Sequence, residues 1–374
     1  MIRALSPYYI TTNLSYATPT VVVCTKYILT IQVWNGLDTE YDGSNSNVKV
    51  NTYDITFVNT QADETVHDIN INAIIQDYIE FKQPYPNPAA TTQIIPGKNQ
   101  MWVRTFVNYD PSPTAPAGTE PEEDIKIDFM TLGYAYGNEG KNFSTVEDNI
   151  LIKAQDYKVS RKGFFIYPFV VPETETLTIT VVSSPDSQIN KSYNINGTTN
   201  SDNKVVYIWI DLNDTSDDEF VTITNTNDDT SATSTTILDI VNECKYTPLD
   251  VIFQNKDGAN QIFTFFKRQD EGMTITDNHF ETNRGQASIG YHQFVRHNVQ
   301  ARTAISAETG FIDEDNNEVV KQMLLSERIW SYIDGVPTPL NIVDKSFKYK
   351  TRQNERLVSY TMKFQKSYNE INNI

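Results

Sequence analysis

Apolar and polar residues alternate along much of this chain, most sharply near its end. There Val358, Tyr360, Met362 and Phe364 are separated by Ser359, Thr361 and Lys363, and Phe347 and Tyr349 stand in the same relation to Lys348 and Lys350. A period of two marks a strand with one buried face. The same period recurs at Tyr53, Ile55 and Phe57, at Leu177, Ile179 and Val181, at Val221 and Ile223, and from Val299 through Ala301 and Thr303 to Ile305. Apolar runs over 102–109, 125–136, 164–170 and 205–210 predict further strands, and the run over 21–33 a central strand or hairpin. The turns Asp257-Gly258 and Asp334-Gly335 suit hairpins, because tight turns matched to strand twist need positive φ, which glycine tolerates.

Helical spacing appears twice. Ile71, Ile74, Ile75, Tyr78 and Ile79 line one side of a helix predicted over about 71–81, ending before Pro84, Pro86 and Pro88. Val319, Val320, Met323 and Leu324 predict a second over about 316–325, behind an Asp315 to Glu318 spacing that fits a capping box. The fold class read from these patterns is mainly β, a multi-domain β-sandwich architecture with two short helices. A shift to Ser, Thr, Asn and Asp after residue 171 predicts three domains: an N-terminal β domain over 1–171, a small β-sandwich over 172–243, and a C-terminal β domain with one helix over 244–374. The proline- and acid-rich stretch 110–124 reads as an exposed loop and a docking arm.

The C-terminal block also carries a set of short motifs. They are Lys245-Tyr246, the turn from Asn255 through Lys256, Asp257 and Gly258 to Ala259, Thr309-Gly310-Phe311 ahead of the helix, Leu324-Leu325-Ser326-Glu327-Arg328-Ile329-Trp330 after it, and Tyr349-Lys350-Thr351 followed by Val358-Ser359-Tyr360-Thr361. Together they resemble the C-terminal half of tail structural proteins of crAss-like and related tailed phages of Bacteroidota. The likeness covers the last third of the chain, with a fainter echo at Ser6-Pro7-Tyr8-Tyr9. It implies a virion structural protein: a subunit of a ring or hub in the tail that forms the channel for DNA ejection and links neighbouring tail proteins. The same resemblance implies a homo-oligomeric ring, hexameric or dodecameric, that is made in the host cytoplasm and located in the virion tail.

Composition agrees with a folded, non-catalytic subunit. The chain has 374 residues, 21 Tyr and 18 Phe for its cores, and only 15 Gly and 16 Pro. Its formal charge of -18 argues against gripping nucleic acid, since phosphate binding needs Lys and Arg to release counterions. With the resemblance to channel-forming tail proteins, DNA is expected only as passing cargo, and the acidic clusters 120–124, 214–219 and 313–318 are candidates to face either a lumen or, as an ordinary solvated surface, outward. No apolar segment of signal-peptide or membrane-span length is present, so no membrane span is expected. Cys24 and Cys244 are read as buried free thiols.

Candidate chemistry is sparse. The four histidines, His67, His279, His292 and His297, form no zinc-ligand spacing, and no nucleophile elbow or phosphate loop occurs. Asp211, Asn213 and Thr215 hint at a calcium loop, but the sixth-position glycine and twelfth-position glutamate of an EF-hand are missing, so a solvated turn is the reading. No enzyme, cofactor or metal is expected. Trp34, Trp102, Trp209 and Trp330 stand in strand patterns, where packing or interface roles outweigh sugar stacking. Arg284, Arg296 and Arg302, with His292 and His297, make the one locally basic stretch: a solvated face, or a contact for an acidic neighbouring subunit. Together with Trp330 these arginines are the candidate subunit contacts. The competing function is a carbohydrate-binding or adhesive β-sandwich protein of a bacterial or virion surface; a glycan depolymerase of the tail ranks third.

Overall fold

The computed structural model describes residues 1–13, 15–16, 22–23, 26–34, 49–58, 66–79, 93–96, 100–110, 126–143, 149–161, 163–171, 175–185, 188–196, 204–213, 215, 220–242, 245–282, 290, 292–333, 336–344, 346, 348–350 and 357–371. The loop expected over 110–124, apart from its first residue, lies outside these, as do Cys24, Cys244, Arg284 and the Asp334-Gly335 turn.

The chain is mainly β, built from several sheets with two short helices. An N-terminal five-stranded sheet runs in the order Ile2–Arg3, Lys126–Thr131, Gln100–Asp110, Lys26–Trp34, Lys49–Val58. Its inner face buries Leu29, Ile31 and Val33, with Val103, Val107 and Met130, against Ile71 and Ile75 of the first helix. That helix is shorter than the predicted 71–81: α1 covers Asn72–Ile75 and tightens into a 3-10 turn over Gln76–Tyr78. Its apolar stripe is core all the same.

A second five-stranded sheet has the order Asp156–Ser160, Thr233–Val241, Phe220–Asn227, Thr176–Ser184, Asn190–Asn196. Leu177, Ile179 and Val181 point inward from it while Thr178 and Thr180 between them stay partly exposed, as the alternation requires. A three-stranded sheet, Phe164–Val170, Val205–Asp211, Gln93–Pro96, is buried along Phe164–Val170 and Val205–Ile210, which accounts for their unbroken apolar runs. The pairing of Phe164–Val170 with Val205–Asp211 crosses the division expected at 171, and Asp156–Ser160 pairs in parallel with 237–241. One hydrophobic core then continues past 243 into the C-terminal block.

The C-terminal sheet has seven strands, in the order Asn260–Phe265, Leu249–Gln254, Ile329–Ile333, Val336–Ile342, Thr361–Lys366, Phe294–Glu308, Gln269–Glu281. Val358, Tyr360, Met362 and Phe364 are buried as predicted, whereas Tyr349 is exposed and outside any strand. The second helix, α2, spans Asn317–Leu325 behind a 3-10 turn at Glu314–Asn316. The expected capping box is absent: Asn316 is the N-cap residue and makes no side-chain cap. Glu318 instead accepts hydrogen bonds from the Tyr136 hydroxyl at 2.5 Å and from Gln322. A tertiary partner has taken the carboxylate that the box would have used.

The turn of the 249–265 hairpin joins the N-terminal sheet to the rest. Asn255, Lys256, Asp257 and Ala259 are all buried, although hairpin turns ordinarily face water. Arg3 meets Asp257 at 2.5 Å, and its other nitrogen donates to the Phe143 carbonyl. The Thr131 hydroxyl donates to the Asp257 carbonyl and the Tyr134 amide to the Lys256 carbonyl, both at 2.8 Å. Lys256 pairs with Glu139 and lies over the Tyr136 and Phe143 rings. Burial pushes the Glu139 carboxyl up, but Lys256 and the Tyr136 amide outweigh it and hold the group below its ordinary range.

Two glycines make this approach possible. Gly258 has φ +78, and a Cβ there would sit 2.7 Å from the Gly133 nitrogen; a Cβ on Gly133 would sit 2.7 Å from the Lys256 oxygen. Gly258→Ala is therefore expected to cost about 3 kcal/mol or more, from positive φ and backbone overlap together. Gly272, with nothing within 4 Å of its would-be Cβ, is the matched control. Chemical denaturation of both alanine variants checks this; equal midpoints would remove the clamp from the account.

Candidate interaction surface

The strands Gln269–Glu281 and Phe294–Glu308 form a two-stranded ribbon that runs out from the C-terminal sheet. Thr361–Lys366 pairs with the second strand only between Ala304 and Glu308, and the Glu370 amide reaches Ala301. Beyond that point the ribbon is exposed on both faces, with every residue from Asp270 to Thr276 open to solvent. Met273 is 59% exposed, Ile275 52%, Phe280 47% and Phe294 61%.

Register fixes which of these share a face. Met273 stands opposite Thr303 and Ile275 opposite Ala301, so both lie on the face that carries Ile305 into the core. Glu271, Asp277 and His279 continue that face. The other holds Thr274 opposite Arg302, and Phe280, whose ring meets His297 edge-on at 5.2 Å. A bulge shifts the register between Thr276 and Asn278, with Asn298 at φ 51. Such a bulge sharpens the local twist.

Two of the predicted contact residues lie here. Arg302 is exposed on the ribbon, and Arg296 is exposed and paired with Asp277, which also stands 3.9 Å from His279. The stretch is thus less basic than its sequence suggests, because Asp277 from the facing strand neutralises Arg296. Trp330 is elsewhere and only 5% exposed, opposite Pro339 in the sheet. Within the chain it packs in the sheet. Trp34, Trp102 and Trp209 are buried as well, leaving no tryptophan to offer a sugar a flat exposed ring. Met273, Ile275, Phe280 and Phe294 were not picked out from sequence, although Met273-Thr274-Ile275-Thr276 does alternate. Periodicity alone does not tell a strand whose apolar face is covered by its own chain from one whose face is left open.

Among the described residues no group of three or more His, Cys, Asp or Glu is arranged to hold a metal ion. No helix among them is long and apolar enough to cross a membrane. Asp156 is raised by burial and by Asp313, Asp315 and Asp239, which marks an acidic face where the second sheet meets the turn before α2. No protein-family model matches the chain, and no curated protein matches it.

The most perturbed carboxyl is Asp250, driven up to about 6 by burial although the Thr264 hydroxyl donates to it at 2.6 Å. The residue as a whole keeps some exposure while its carboxylate is enclosed near Gly163. Its hydroxyl neighbour is held by the carboxylate across the hairpin, so the pair reads as structural. A carboxyl raised on folding binds its proton more tightly in the native state, so its contribution weakens as pH rises from about 4 to about 6. Asp250→Asn is expected to remove that slope and to stabilise the chain at neutral pH by up to about 3 kcal/mol. Denaturation at pH 4 and pH 7 checks it; an Asn variant no more stable than wild type at pH 7 would place the charged form in a solvated site.

Proposed function

We propose that this chain is a structural subunit of a tailed-phage virion, part of a ring or hub in the tail, and that it works by assembly rather than catalysis. The observation that carries the reading is the ribbon 269–308, which holds Met273, Ile275, Phe280 and Phe294 out to solvent on two faces. A two-stranded ribbon is marginal in water by itself, and exposed apolar side chains on it mark a partner surface. The multi-sheet β architecture and the C-terminal motifs are in keeping with such a subunit. So is the acidic face around Asp156, Asp239, Asp313 and Asp315, which disfavours holding a duplex and suits a surface past which DNA slides. In this reading the subunit closes into a hexameric or dodecameric homo-oligomer, contacts other tail proteins, and is located in the virion. The buried tryptophans weigh against the carbohydrate-binding alternative.

Mass spectrometry and microscopy of purified particles test the location: the chain is expected in the tail, and finding it only as a monomer in the host cell would overturn the proposal. A gel-shift assay tests the charge argument separately. No duplex retention is expected even at low salt, where any phosphate-binding patch is strongest. Tight low-salt binding that falls steeply with added salt would place Arg302 or another cation against the DNA.

A further inference from the structure

Gln269–Glu281 is the outer strand of the seven-stranded sheet, and among the described residues no strand pairs with its far side. From Asp270 to Phe280 it therefore presents an edge of outward amides and carbonyls, with no lysine or proline along it, and with Asp270, Glu271 and Asp277 as the charges that any pairing must accommodate. The occupant can be argued from the side chains. In an antiparallel pairing of this strand with its own copy, about an axis perpendicular to the ribbon, each face stays continuous and residues of like parity meet. With the axis at Ile275, Ile275 packs on Ile275 of the second copy, Thr274 meets Thr276, and Glu271 stands opposite His279. On its own ribbon His279 is the cross-strand neighbour of Arg296, whose charge Asp277 already takes, so each Glu271 faces an imidazole and no carboxylate, twice by symmetry. No two like charges are directly opposed. Moving the axis by one residue either way sets Glu271 against Asp277 or against Glu281, which cross-strand electrostatics disfavour.

We infer that strand 269–281 binds the same strand of a second copy of this chain, in the register centred on Ile275. This rests on the assembly reading and adds one contact to it: a two-fold pairing joins copies two at a time, and closure of a ring takes a second, heterologous surface. Main-chain hydrogen bonds extend the sheet across the two copies, Ile275 supplies an apolar centre, and the Glu271 contacts select the register.

The test uses the full chain. Ile275→Lys and Glu271→Lys change exposed side chains, so their thermal midpoints should match wild type. Each is expected to weaken self-association by about tenfold or more in sedimentation velocity and native mass spectrometry. Val336→Lys, at an exposed apolar residue away from this strand, should leave it unchanged. Register is read by disulfide formation. The double variant Thr274→Cys with Thr276→Cys should yield a covalent dimer under mild oxidation, located by peptide mapping to distinguish it from Cys24 and Cys244. Either single variant should not, because identical positions then lie on a diagonal too long for the bond. Self-association that survives Ile275→Lys, or a double variant that does not cross-link where the wild type associates, would overturn this pairing while leaving assembly through another surface intact. A wild type that stays monomeric at its highest soluble concentration would also overturn it. Absence from the virion would instead strike at the assembly reading itself.

Discussion

The fold depends on one constraint: a hairpin turn made of Asn255, Lys256, Asp257, Gly258 and Ala259 must be buried, and every polar group in it must find a partner. A buried amide or charge left unpaired costs kilocalories, so the surroundings are arranged around satisfying it. Asn255 is the pivot. Its side-chain oxygen accepts from the Asp257 and Ala259 amides and closes the turn, while its nitrogen donates 2.5 Å to the Leu151 carbonyl. The Lys256 amide donates to Gln322 of α2, and Asp257 takes Arg3. Chain segments far apart in sequence are thus each obliged to be present for the turn to be tolerable. Gly133 and Gly258 are required because the two backbones approach too closely for any Cβ.

That arrangement divides the C-terminal sheet into two regimes. At one edge, Asn260–Phe265 is covered by Asp156–Ser160 and Phe164–Val170, and the Gln261 side chain donates to the Tyr157 hydroxyl across the seam. At the other edge, no strand among the described residues pairs with the outer side of Gln269–Glu281. One sheet therefore has a fixed, desolvated side and an open side. Local opening is governed by how much apolar surface and backbone pairing a segment shares with its neighbours, so the ribbon is the low-stability end of a sheet whose other end is anchored. A partner that orders the ribbon gains its contacts without disturbing the core.

Much of the element pattern was legible in sequence, and the reason is local. Leu177, Ile179, Val181 and Met362, Phe364 read as strands because each side chain's face follows from its own position in the pleat. What was not legible depends on which chain segment lies opposite. The 255–259 turn reads as a surface turn because its residues are polar, and its burial depends on partners brought from elsewhere, among them Arg3, Glu139, Leu151 and Gln322. The capping box at Asp315 and Glu318 failed for a like reason: Tyr136, distant in sequence, claims the Glu318 carboxylate. Arg296 looked basic along the chain and is neutralised by Asp277 across the ribbon. Trp330 looked available and is covered within the sheet. The ribbon's open faces escaped notice because alternation reports that a strand has an apolar side, not what covers it.

The use of charge at the clamp supplies direction as well as attraction. Desolvating Arg3 and Asp257 costs much of what their attraction returns, so an apolar pair of similar shape would hold the two parts together about as well. What an apolar pair would not supply is direction. Arg3 must meet Asp257 while also donating to the Phe143 carbonyl, and Lys256 must meet Glu139 while lying over two aromatic rings; a sheet docked a few degrees away would leave buried charges unpaired. Misdocked arrangements are thereby penalised far more than the correct one is stabilised. An interaction that fixes orientation in this way sets how the N-terminal sheet is turned relative to the C-terminal sheet that carries the ribbon. The side chains exposed along that ribbon, Met273, Ile275, Phe280 and Phe294, are thereby held in a fixed direction relative to the N-terminal sheet.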